Sequence, residues 1–320
     1  MKKIICLLLS ALLTVGMFCG CGSKESGKLK IVTTIFPCYD WTREILGERA
    51  DDVELTFLLN NGVDLHSFQP TSADLVKITG SDLFIYIGGE SDEWVEDVIN
   101  TNKSKKINTL NTMDVLKNNI LEEETVEGMQ EEHDAEEAEE LEYDEHIWLS
   151  FDKASAICDE ICKKLSKIDK QNSSIYEENT KKYKQKLSDL SQKYKETVNS
   201  AQTKTLLFAD RFPFRYLTED LGIKYYAAFS GCSSESDATF KTITFLADKL
   251  KEEKLSSVIV LEGNNKKIAE TVIKTSKLKN IKILELNSMQ TATVKKGKTN
   301  DTYLSIAENN LKILKEALNK

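Results

Sequence analysis

From residue 172 to residue 199 the chain runs as one strongly charged stretch with no Gly or Pro. Along it Ile175, Tyr183, Leu187, Leu190 and Tyr194 recur at helical spacing and predict a single long helix with one apolar stripe. On either side, short β-branched runs alternate with amphipathic stretches. Before the helix the predicted strands are Leu29 to Phe36, Val53 to Leu59, Leu83 to Ile87 and a weaker one from Lys106 to Leu110. Helices are predicted at Tyr39 to Leu46, Ser72 to Thr79, Asp92 to Asn100 and Asp152 to Ile168. After it, strands at Lys204 to Ala209, Ile223 to Ala228, Ser257 to Leu261 and Ile281 to Leu286 alternate with four further helical stretches. These lie at Arg215 to Leu221, Asp237 to Lys251, Asn265 to Thr275 and Tyr303 to Leu318. Such alternation specifies an α/β fold of two similar lobes, each a mainly parallel four-stranded sheet flanked by helices, joined by one long linker helix. Ligands of open α/β sheets bind at the strand C-termini, so a cleft between the lobes is the expected site.

The ends of the chain are organised differently. Lys2 and Lys3 precede an apolar run, Ile4 to Val15, too short to stay as a spanning helix. Phe18-Cys19-Gly20-Cys21 then gives way to a polar stretch. A small residue before a cysteine at the end of such a run resembles a lipoprotein signal. The expected organisation is therefore a signal peptide over 1–20, a lipidated tether over 21–28 beginning at Cys21, an N-terminal lobe over 29–170, the linker helix over 171–200 and a C-terminal lobe over 201–320. The remaining cysteines, Cys38, Cys158, Cys162 and Cys232, show no disulfide framework; Cys158 and Cys162 share a helix face and read as buried apolar residues.

The net charge of −9 conceals an asymmetry. Residues 122–145 hold 14 Asp and Glu and no Lys or Arg, so the rest of the chain is net positive, with Lys interleaved among Glu. That pattern is solvated surface and excludes a nucleic-acid-binding stripe. The acidic segment has almost no apolar content and is expected to be disordered, its carboxylates attracting cations toward its C-terminal end.

That end carries His146, one of only three histidines. His66 follows the second strand in a Gly-containing loop, and His133 lies within the acidic segment. A neutral imidazole is a ligand for zinc and also serves manganese. The residues around the histidines carry a resemblance. Thr34-Ile35-Phe36-Pro37-Cys38-Tyr39-Asp40, His66 to Pro70 with Thr71 and Asp74, His146-Ile147-Trp148-Leu149 after an acidic loop, and Tyr303 with Asn310-Leu311 occur in order along the mature chain. The chain resembles the zinc/manganese solute-binding lipoproteins of bacterial ABC importers.

The resemblance implies a receptor outside the cytoplasm, anchored by lipid to the bacterial cell membrane. It would act as a monomer, capture zinc or manganese as transported ligand, and deliver it to an ABC permease and its ATPase. It implies His66 and His146 as the first two metal ligands. The family's third ligand aligns with Arg211, which stays protonated and cannot bind a cation; Asp210 beside it would serve if the loop shifts by one residue. The fourth aligns with Asn287, whose amide oxygen is a weak ligand. Further candidates are His133, Glu142, Asp144 and Glu145 from the acidic loop, and Glu262 and Glu235 beyond it. A surface adhesin or metal sensor on the same fold is the alternative function. With no His-Glu-x-x-His helix, nucleophile elbow or phosphate loop, the sequence gives no support to an enzyme.

Overall fold

The computed structural model describes residues 27–60, 62–101, 107–117, 119–130, 142–233, 237–294 and 301–319. The expected signal peptide, Cys21 and most of the tether lie outside these residues, as do His133 and Glu235.

The N-terminal sheet contains β1 (Leu29–Thr33), β2 (Val53–Phe57), β3 (Leu83–Tyr86) and β4 (Thr109–Asn111), all parallel, in the order β2-β1-β3-β4. The C-terminal sheet repeats the plan with β5 (Thr205–Arg211), β6 (Lys224–Phe229), β7 (Ser257–Leu261) and β8 (Lys282–Leu286), ordered β6-β5-β7-β8. The continuous apolar runs of β3 and β7 are buried along their whole length, as a parallel strand covered on both faces requires. Each sheet reverses its winding direction beside its first strand, which opens a crevice at the strand C-termini.

Helices α1 (Phe36–Leu46), α2 (Ser72–Gly80), α3 (Trp94–Thr101), α4 (Thr112–Leu116) and α5 (Phe151–Ile168) belong to the first half. Pro37 in the first turn lets α1 begin earlier than predicted, since that turn needs no amide donor. A reciprocal cap between Thr71 and Asp74 fixes the start of α2. The second half adds α7 (Arg215–Leu221), α8 (Phe240–Glu252), α9 (Lys267–Ser276) and α10 (Tyr303–Ala317).

Between the halves runs α6 (Ser173–Asn199), 27 residues long. It buries Tyr176, Thr180, Tyr183, Leu187, Leu190, Tyr194 and Val198, steps of three and four that keep one face inward. Ile175, placed on that face by the sequence, is instead 40% exposed, and its neighbour Tyr176 is buried. One hydrophobic core passes from the N-terminal sheet through α1, α5 and α6 into the inner face of the C-terminal sheet. A second core lies between that sheet's other face and α8 and α9. The lobes are thus welded by shared packing, with Trp41 edge-on to Tyr303 at 5.2 Å and Tyr303 N donating to Asp40 Oδ2 at 2.9 Å.

The acidic segment departs from expectation where it is described. Residues 122–130 and 142–145 are docked on the C-terminal lobe. Glu124 pairs with Arg215 at 2.7 Å and accepts from Tyr225 OH at 2.9 Å. Gln130 N donates to Ala228 O, and Met129 is buried. One ion pair, hydrogen bonds and one apolar anchor outweigh the like-charge repulsion that the composition advertised.

Candidate metal site

His66 is placed by the turn Leu65–Ser67 beyond β2, where Asp64 caps it by accepting the His66 backbone N–H at 3.1 Å. Its Nδ1 meets Ser91 Oγ at 2.8 Å. His146 enters from the end of the acidic segment and is fully buried. Asp144 Oδ1 lies 3.1 Å from its Nδ1. With both Nδ1 atoms engaged, the two Nε2 atoms face each other 3.3 Å apart. A tetrahedral zinc ion with nitrogen ligands at roughly 2.0–2.1 Å separates two of them by about 3.3 Å. The pair therefore already stands at the spacing a metal demands, and each ring is held by the kind of outer partner that metal-bound histidines carry.

Burial, reinforced by the neighbouring His146 and Arg211, pushes His66 down to about 4, so its imidazole is neutral at any pH near 7. Burial also works against a charge on His146, but the Asp144 carboxylate, together with Glu145 and Glu123, outweighs it and the net shift is upward.

The four ligands named from the sequence do not all converge. Asp210, at the end of β5, accepts from Leu261 N at 3.0 Å, from Asn264 Nδ2 at 2.7 Å and from Arg211 N at 2.9 Å. Its oxygens latch β5 to the loop after β7 and are absent from the metal-sized cluster around the histidines. Asn287 is likewise committed elsewhere. Its Oδ1 accepts from Met289 N at 2.7 Å, and its backbone is clamped by Asn310. Glu262 holds the same turn from below, accepting from Ser288 N and Ser288 Oγ at 2.8 Å each.

What the turn delivers is Gln290, which the sequence reading missed. Its amide nitrogen is 2.8 Å from His146 Nε2 and 3.1 Å from His66 Nε2. Met289, with φ of +67°, takes the left-handed conformation that aims it there. Gln290 is buried, and its Oε1 accepts from Ser288 Oγ at 3.0 Å. Its NH2 donates to the two imidazole lone pairs that a metal would otherwise take. To offer oxygen to an ion, the amide turns over.

Glu145 borders the site without joining it. Oε1 accepts from Ser91 N at 2.8 Å, and Oε2, buried and without a hydrogen-bond partner, stands 4.0 Å from His66 Nδ1. It fits only because Gly89, at φ of +76°, has no Cβ to occupy the same space. Arg211 pairs with Asp64 at 2.8 Å and is no ligand. The site opens into an interlobe cleft of about 730 Å³ whose rim includes Asp64, Glu90, Glu93 and Glu145, a negative mouth that favours cations. Among the described residues no helix is long and apolar enough to cross a membrane.

Proteins named for zinc binding and zinc uptake are similar to this chain. The chain is 32% identical over 318 residues to the zinc-binding lipoprotein AdcA of Streptococcus pneumoniae, an alignment covering 99% of this chain and 61% of that protein. It thus spans less than two thirds of that relative's length. It is 27% identical over 306 residues to the high-affinity zinc uptake system protein ZnuA of Bacillus subtilis, covering 93% of this chain and 90% of that one. The crystal structure of Zn(II)-bound AdcA from Streptococcus pneumoniae superposes with a TM-score of 0.72 at 27% identity, over 91% of this chain and 58% of that chain. A family model described as zinc-uptake complex component A, periplasmic, matches residues 31–317, and the chain belongs to that family, ZnuA.

Proposed function

We propose that this protein is a lipid-anchored receptor outside the cytoplasm that captures one zinc ion between its lobes. It then passes the ion to an ABC permease driven by a cytoplasmic ATPase. The observation that carries the reading is the pair of Nε2 atoms, 3.3 Å apart, with each ring anchored through Nδ1. The similarity to proteins named for zinc binding and zinc uptake supports zinc over manganese as the ion. The description of AdcA as a lipoprotein supports Cys21 as the anchor.

The shared core supports a receptor that works without wide lobe opening. Metal enters from the acidic mouth, and capture needs only the local exchange of the Gln290 NH2 for the ion. The role is holding and release, in keeping with a zinc-uptake component.

The test is zinc content and zinc titration of the purified mature protein beside the His66→Ala/His146→Ala double variant. Wild type binds one ion and the double variant binds none at the same free zinc. Undiminished zinc binding by the folded double variant sinks the reading.

A further inference from the structure

We propose that Cys232 is the third ligand of this site, binding as a thiolate, so that the centre is a two-histidine, one-cysteine site selective for zinc over manganese. The inference rests on the function proposed above and adds the residue that completes the ion's inner shell.

The place where the family resemblance expects a third ligand is held by Arg211, a cation paired with Asp64. The neighbouring carboxylate, Asp210, has its oxygens committed to Leu261, Asn264 and Arg211. Opposite them, the chain leaving β6 passes over the imidazoles. One ring nitrogen of His66, one of His146 and the Sγ of Cys232 all lie within 4.8 Å of one another. No other cluster of His, Cys, Asp and Glu with metal-binding spacing occurs among the described residues.

Two features hold Cys232 in this position. A Cβ on Gly231 would stand 3.0 Å from His146 Cε1 and 3.0 Å from Phe212 O, a tight contact, so glycine eases the close approach of the strand exit to the ring. Cys232 N then donates to Glu123 Oε1 at 3.1 Å, tying the approach to the docked part of the acidic segment. The other described cysteines, Cys38, Cys158 and Cys162, are buried in the core; Cys232 lines the cleft.

With sulfur at about 2.3 Å and nitrogen at about 2.0–2.1 Å from zinc, the sulfur-to-nitrogen separation in a tetrahedron is about 3.5 Å. From 4.8 Å, closure needs a shift of only about 1 Å, within reach of a change in one side-chain torsion. On binding, the S–H bond breaks, a sulfur–metal bond forms and the proton leaves to solvent; no electrons are transferred. Gln290, its amide turned, supplies the fourth ligand. A thiolate suits zinc and gives little to manganese, which prefers oxygen ligands.

Cobalt(II) reports the difference, because a cobalt–thiolate bond gives a near-ultraviolet charge-transfer band that imidazole and amide ligands do not. Cobalt-loaded wild type is expected to show that band together with visible ligand-field bands. Cys232→Ser keeps the fold by circular dichroism, loses the charge-transfer band, and weakens zinc by at least the roughly 10–100-fold that even outer partners are worth. In unmodified protein, zinc is expected to protect Cys232 from iodoacetamide, with the labelled residue identified by mass spectrometry. Ligand-field bands without the charge-transfer band, or equal labelling with and without zinc, overturn Cys232 as a ligand and leave the histidine site standing. Cobalt binding that survives His66→Ala/His146→Ala overturns the function on which the proposal rests.

Discussion

Asp144 Oδ1 accepts the backbone N–H of His146 at 2.8 Å and meets Nδ1 of the same residue's ring at 3.1 Å. One carboxylate oxygen therefore sets both the position of the His146 main chain and the tautomer of its ring. It leaves the Nε2 lone pair facing His66. Asp144 is itself fixed, because Tyr216 OH donates to its carbonyl at 2.8 Å. The sequence offered Asp144 as a loop ligand; in the structure its carboxylate holds the His146 ring.

Asp144→Asn is expected to keep the fold and the acceptor but lose the charge that favours N–H at Nδ1. Zinc affinity should fall by roughly 10–100-fold, the cost seen when outer partners of metal-bound histidines are removed. Competition against a chelating dye measures it. An unchanged dissociation constant would mean that the Asp144 contact is incidental.

Gln290→Glu tests the turn built by Asn287, Met289 and Glu262. A carboxylate at this position faces both Nε2 atoms with a negative oxygen and needs no amide rotation. Zinc should bind on the order of tenfold more tightly, about 1.4 kcal/mol. The metal-free protein should melt at a lower temperature, since the new charge is buried beside Glu262. Weaker zinc binding by a folded Gln290→Glu would show that the side chain does not reach the ion.

The parts of this molecule legible in its sequence are those written in local periodicity. Strands such as Ser257–Leu261 and helices such as Arg215–Leu221 are matched to the residue. Ile175 and Tyr176 show the limit: two adjacent apolar residues satisfy the same period, and tertiary packing chose the tyrosine, whose hydroxyl donates to Asp169 at 2.5 Å. His66 and His146 were legible because short motifs surround them. Gln290 was not, because its position depends on a left-handed Met289 and on Glu262, 26 residues from its partner Ser288. Cys232 reaches the histidines only through the path of the chain after β6, which leaves no periodic trace.

Asp92 gives the pH dependence. It is buried, accepts from Ile87 N at 2.8 Å and Gly88 N at 3.2 Å through Oδ2, and has no partner for Oδ1. Burial first, then the nearby Glu145, push it up to about 7 from 3.8. A carboxylate raised in the folded state takes up a proton on folding between those values, so this group's contribution to stability falls as pH rises from about 4 to 7 and is flat beyond. Asp92→Asn keeps an acceptor for the two amides and removes that slope. Its stability relative to wild type should increase across the same window, by up to about 4 kcal/mol between pH 4 and pH 8. Urea unfolding of the metal-free proteins at pH 5 and pH 8 measures the change. A relative stability that is constant or declines with pH would refute the assignment.

Leu187 tests whether the lobes are one cooperative body. It is fully buried on α6, within the core that runs from one sheet to the other. Truncation to Ala leaves a cavity at that junction and should cost about 2–5 kcal/mol. If the shared core couples the halves, Leu187→Ala lowers the melting point of both together: near-ultraviolet and far-ultraviolet signals lose structure in one coincident transition, as in wild type. Zinc affinity at a temperature where the variant is fully folded should be unchanged, since Leu187 is not among the residues lining the cleft. Two separated transitions would show that α6 is a tether between independent domains.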